Sequence, residues 1–230
     1  MKTLLTNEIG YPVRKMLGST LVLAIIFITS GCAPSHKFDR GELSKLGKIA
    51  VISHSEHRFL YIPRPSEIEG EEKVVKELGT FLEGFPLAKI MRQKFRTALI
   101  GLNLALDLVP EPAIEKIEDT SMQSCLTWAE RNHVDAVIHL QSMLEVSHVY
   151  RIHDIPLRYY PKIWTTVKII RLKDNKLLWS KTVWTHAMDG TAAGLKSYSP
   201  YDTVFDKENL EPLIYKKLDY VVKALIKDLG

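Results

Sequence analysis

Apolar and polar residues alternate over residues 135–149, and this is the clearest structural signal in the chain. Ala136, Ile138, Leu140, Leu144 and Val146 fall on one side and His139, Gln141, Glu145 and Ser147 on the other, with Ser142-Met143 interrupting. A period of two marks a strand with one packed face. Residues 48–53 form a shorter β-branched strand bounded by Gly47, and residues 57–62 extend it or make a second one. Residues 103–109 alternate and end at Pro110. Residues 163–172 and 177–186 read as two strands joined by Lys173-Asp174-Asn175-Lys176, a hairpin turn whose residues tolerate positive φ. Between the strands the period changes to that of a helix. Leu87, Met91, Phe95, Ala98, Leu99 and Leu102 recur at three- and four-residue steps within 85–102. A second helix starts near Thr120, with Thr120-x-x-Gln123 as a capping box, and ends at Asn132-His133. A third spans about 207–228, its regular part starting near Glu211 because of Pro212, and carries a wide apolar stripe from Leu210 to Ile226. Pro63, Pro65 and the acidic run 67–72 predict a surface excursion, and residues 187–201 a long loop. The expected fold class is α/β (α+β). It is a mixed sheet in the order β-α-β-α-β-β-β-α, parallel early, an antiparallel meander later, with helices on at least one face.

The amino-terminal pattern is different. Lys2, Arg14 and Lys15 precede the apolar residues 21–28, and Thr29-Ser30-Gly31-Cys32 follow. A charged head, a short apolar core and small residues make the three parts of a secretory signal. The apolar core falls short of the roughly 20 residues that a membrane-spanning helix needs. Small residues ahead of a cysteine resemble the signal of bacterial lipoproteins. That resemblance implies that residues 1–31 are removed, that Cys32 is acylated, and that the acyl chains hold the protein on a membrane. With Ala33 and not Asp after the cysteine, it implies the outer membrane, facing the periplasm. Residues 32–45, polar with Pro34 and Gly41, read as a tether, and residues 46–230 as one domain.

Charge narrows the function. The chain's net charge is +4, of which residues 1–31 contribute +2, leaving +2 on the remainder. A chain so near neutral, with no basic stripe, does not read as a nucleic-acid binder. With Cys32 acylated, Cys125 has no disulfide partner and reads as a small buried hydrophobe. No nucleophile elbow, phosphate-binding glycine loop or zinc-protease helix is present, so neither a catalytic residue nor a cofactor is assigned. His54-x-x-His57 and the group His148, His153 and Asp154 match no metal framework and read as polar surface, so no metal is assigned.

Residues 150–164 contain two prolines, which keep them irregular, yet they are rich in Tyr, Trp and Arg. Such residues dominate binding hot spots and equally pack a loop onto its own sheet. Arg158, Tyr159, Tyr160 and Trp164 are the candidates for contact with a partner. Three further stretches belong together: Lys48-Ile49-Ala50-Val51-Ile52; Trp128 through Ile138, a helix running into a strand by His133-Val134-Asp135-Ala136-Val137; and Val167 through Ser180, a hairpin ending Lys176-Leu177-Leu178-Trp179-Ser180. They resemble the domain shared by the curli secretion-channel lipoprotein, the penicillin-binding-protein activator lipoproteins and the amino-terminal domain of the Tol-system propeller protein. His133 and Asn175 stand where that pattern has glycine. The resemblance implies a non-enzymatic envelope module that binds another envelope protein or assembles with itself. The rivals are a pore-forming secretion subunit, which needs strands with an apolar outer face, and a hydrolase of envelope polymers, which needs acidic or histidine side chains clustered near Tyr160 or His186.

Overall fold

The computed structural model describes residue 38 and residues 40–60, 71–149, 158–185 and 207–229. Residues 1–31, Cys32, the loop 187–201, His153, Asp154 and His186 lie outside the described residues.

The centre of the fold is β1 (Lys48–Leu60), whose Ile49, Ala50, Val51 and Ile52 are all fully buried. A run buried on both faces is what a parallel strand between two helix layers requires. Each large side chain there contributes about 1.5–3 kcal/mol relative to exposure. β2 (Asp107–Leu108) and β3 (Ala136–Val149) pair parallel with β1 on its two sides. β4 (Arg158–Arg171) and β5 (Lys176–Trp184) follow antiparallel, giving the sheet order β2-β1-β3-β4-β5. The expected change from parallel to antiparallel pairing is present. Ser142-Met143 do not interrupt β3. Residues 57–60 continue β1 in unbroken register with it.

Helices lie on both faces. The larger core joins α2 (Glu71–Gly84), α3 (Leu87–Ile100) and α6 (Lys207–Lys227) to Ile49, Val51, Ile138, Leu140, Ile163 and Val167. The smaller core joins α4 (Glu111–Ile114) and α5 (Met122–Arg131) to Ala50, Ile52 and Val137. Cys125 lies in this second core, where burial first and the Asp119 charge second push its thiol up to about 12. It is an inert buried hydrophobe, as its place in the helical pattern implied.

Further expectations change. The strand read over residues 103–109 is reduced to the two residues of β2. Helix α2 begins within the end of the acidic run read as a surface excursion and continues through residues for which no element was expected, burying Leu78 and Leu82 one turn apart. Its Glu71 and Glu72 sit in the first turn, where acidic residues favour a helix and do not break it. The packed domain also begins earlier than the tether reading placed it, with α1 (Arg40–Leu43). Leu43 is fully buried, Phe38 is 4% exposed, and its ring lies 6.4 Å from that of Trp179. The Phe38 N–H donates to the Asp228 carbonyl at 3.1 Å. At α5 the capping box does not form. The Asp119 carboxylate accepts from the Ser121 N–H at 2.8 Å and from the Ser124 hydroxyl, which holds its carboxyl below the usual range. Thr120 turns instead to His54. Finally α6 is helical through Pro212, since the bond lost there involves only the carbonyl of Glu208 in the exposed first turn.

Candidate protein-binding face

In β3, β4 and β5 one set of alternate side chains packs under α3 and α6. The opposite set begins under α4 and α5, at Val137 and His139, and then leaves them. Residues Met143, Trp164 and Trp184 are direct cross-strand partners on that side. They form one row of large side chains across three strands. Trp184 is 55% exposed, while Met143 and Trp164 are half-buried. Paired side chains of this kind stand about 5 Å apart at Cβ, so the row presents a continuous apolar strip.

Polar pairs border the strip. On one side Thr166 and Thr182 are joined through their hydroxyls at 2.8 Å, next to exposed Gln141. On the other the Lys162 ammonium donates to Glu145 at 3.2 Å, and Glu145 is nearly buried. An apolar centre with a hydrogen-bonded polar rim is the anatomy of a protein interface. The polar rim also makes this face unsuited to lipid, which requires an unbroken apolar band.

Trp164 is therefore on an exposed face, in a strand and not in a loop. Arg158, Tyr159 and Tyr160 also belong to β4, paired with Val149, His148 and Ser147, and residues 150–157 lie outside the described residues. The expectation that prolines keep this segment irregular fails at Pro161 for a local reason. The Ile163 carbonyl accepts from the Thr185 N–H at 2.9 Å and the Ile163 N–H donates to the Thr185 hydroxyl at 3.0 Å, both on the β5 side. Pro161, two residues earlier, turns its missing N–H the same way, past the end of β5 at Trp184. No ladder bond among the described residues is lost, and a strand tolerates proline where its N–H side has no neighbour. Sequence reasoning missed Met143 and Trp184 as members of the strip.

Two of the histidines, His54 and His139, have ordinary partners. His54 Nδ1 lies 2.9 Å from the Thr120 hydroxyl, and His139 donates its Nε2–H to the Thr120 carbonyl at 3.0 Å. Among the described residues no three His, Cys, Asp or Glu side chains converge as metal ligands would.

Comparison with known proteins gives structural likeness only. No protein-family model matches the chain. No curated protein matches it in sequence. The LpoB carboxy-terminal domain from Salmonella enterica superposes with a TM-score of 0.35 at 11% identity, over 72% of this chain and 93% of that one. A PelC dodecamer subunit from Paraburkholderia phytofirmans gives 0.34 at 12%, over 80% and 87%. A lipoprotein from Neisseria meningitidis gives 0.31 at 12%, over 77% and 99%. At similarities this low the likeness assigns neither a family nor a function to this chain.

Proposed function

We propose that the chain is a lipid-anchored, non-enzymatic lipoprotein of the bacterial cell envelope that binds other envelope proteins or assembles with itself. The observation that carries this reading is the stretch at residues 21–32, a short apolar core running through small residues into Cys32. Acyl chains on that thiol anchor the protein. One chain binds a membrane only marginally, at about 0.8 kcal/mol per buried methylene, so the several chains of a processed lipoprotein are what make the anchor stable. Ala33 directs the lipoprotein to the outer membrane, on its periplasmic side. Among the described residues no helix is long and apolar enough to cross a membrane. Phe38, the first packed residue described, stands six residues after Cys32, a reach of about 20 Å at full extension. The domain is thus held beside the bilayer, and the Met143–Trp164–Trp184 strip is its contact surface for a protein. Replacing the thiol tests the anchor. Cys32→Ala shifts the protein from the membrane fraction to the soluble fraction, and unchanged fractionation contradicts acylation at Cys32.

A further inference from the structure

Strand β1 is 13 residues long, but β2 covers only its first two. The main-chain bonds at its start show which groups are left over. The Asp135 N–H donates to the Lys48 carbonyl on the β3 side, and the Val109 N–H to the Ile49 carbonyl on the β2 side. Main-chain groups of a parallel strand alternate between its two neighbours. The register with β3 runs unbroken from Ile49 to Leu60, so the alternation is kept. Ser53, Ser55 and His57 therefore point both N–H and C=O away from β3. Among the described residues no hydrogen bond reaches those main-chain groups.

This open edge lies in a cleft of 660 Å³. One wall is the start of α3, with Phe85, Leu87 and Lys89, and the other comes from residues 114–120. The chain passes from β1 to β2 through helices on one face and from β2 to β3 through helices on the other. A crevice at the carboxyl end of a strand, at such a reversal, is where open α/β sheets take ligands. Two polar atoms there are buried and unpartnered: the hydroxyl of Ser53, a residue 0% exposed, and His57 Nε2. The other side of the His57 ring is held by the Phe85 backbone. Each such orphan is unfavourable until a partner arrives.

We propose that the β1 edge at residues 53–57 binds an extended peptide segment of a partner protein, which adds to the sheet as a further strand. Donors and acceptors alternating in steps of about 3.3 Å are matched by another main chain. The Ser53 hydroxyl and His57 Nε2 add two contacts at the ends of that span. The edge runs along an open cleft between its two walls, a space that suits a single extended segment. The site lies away from the aromatic strip, on a different strand, and the two stand or fall separately.

The probe is a set of random seven-residue peptides displayed on phage, selected against the full chain in detergent. Selected peptides are expected to slow amide exchange at Ser53, Ser55 and His57. N-methylation of the peptide amides that face β1 weakens binding by about tenfold, and methylation of the intervening amides leaves it unchanged. Ser55→Pro, which deletes one edge donor, removes binding, while Ser55→Ala retains it. The methylation pattern and the exchange data do not depend on the folding of either variant. Failure to select any peptide, binding indifferent to alternate methylation, or binding without slowed exchange at these residues overturns the proposal. Protection of the same amides in the free chain also overturns it. Protection independent of protein concentration assigns the edge to a segment of the chain itself, and concentration-dependent protection assigns it to a second copy.

Discussion

His133 closes α5 with φ at 52°, and Asn175 turns the β4–β5 hairpin with φ at 49°. Both are left-handed positions, where glycine carries no Cβ penalty and other residues cost roughly 1–2 kcal/mol. These are the two places where the chain departs from glycine in the pattern it resembles. His133→Gly should therefore stabilise the domain by about 1 kcal/mol in urea unfolding; destabilisation would show that the imidazole makes a contact worth more than the strain. Gly47 shows the opposite case. Its φ is 70°, and a Cβ there would meet the Asp135 carboxylate that accepts the Lys48 N–H at 2.8 Å. The hairpin at Asn175 was legible as a turn that tolerates positive φ, whereas the left-handed backbone at His133 and Gly47 was not.

His139 supplies a pH dependence. Burial chiefly, then repulsion from His54 and Lys168, pushes it below the ordinary 6.5, against the opposing bond to Thr120. The folded chain thus resists a proton that the unfolded chain accepts. Stability is unaffected well above 6.5 and falls as the pH drops below it, by up to about 1.4 kcal/mol per pH unit for one such histidine. Half-buried His57 shifts in the same direction, also by burial. Urea unfolding at about pH 7.5 and pH 5.5 should show the loss, and His139→Gln should reduce it. An equal loss in the variant would place the effect elsewhere.

Elements with one clear period were readable, and elements that depend on neighbours were not. The pattern at Leu87, Met91, Phe95 and Leu99 marks α3 because all four are buried on one face. Helix α2 was hidden by the prolines and glutamates before it, although Leu78 and Leu82 carry its stripe. Phe38 was hidden for another reason, since a single apolar residue in a polar stretch has no period. Phe38→Ala should cost about 3 kcal/mol in unfolding free energy, the loss of a packed aromatic; a cost below about 1 kcal/mol would restore the tether to residue 45.

The aromatic strip depends on a bulge. Arg171 pairs with Lys176, and continued evenly that register sets Trp164 against Val183. The irregularity between Ile169 and Ile170 moves the pairing by one and brings Trp184 opposite Trp164. A one-residue slip exchanges the faces of a strand, and nothing in the sequence of β5 announces it. If the strip is the contact surface, Trp164→Ala with Trp184→Ala should lower crosslinking to envelope proteins in cells by about 30-fold or more, the loss of a hot spot. Tyr220→Ala, an equally exposed aromatic on α6, should leave it unchanged. Equal crosslinking in all three proteins would move the interface off this face.

At the scale of the molecule the sheet has two different faces. Among the described residues, one is packed by α2, α3 and α6, and the other is covered where α4 and α5 reach β1 and β3. The rest of that face carries the strip, and the edge of β1 carries main-chain groups with no partner among the described residues. Both are the features expected of a domain that holds other chains, as proposed. The mixed topology was legible because crossover helices demand parallel strands and a tight turn demands antiparallel ones. The cleft was not, since it is built from the ends of three separate elements. All of this binding acts beside a membrane only if Cys32 carries lipid. Intact-mass spectrometry of the protein purified from membranes measures that directly. The expected species begins at Cys32 with its mass raised by three acyl chains; a chain that retains Met1, or one that carries an unmodified thiol at Cys32, contradicts lipid anchoring.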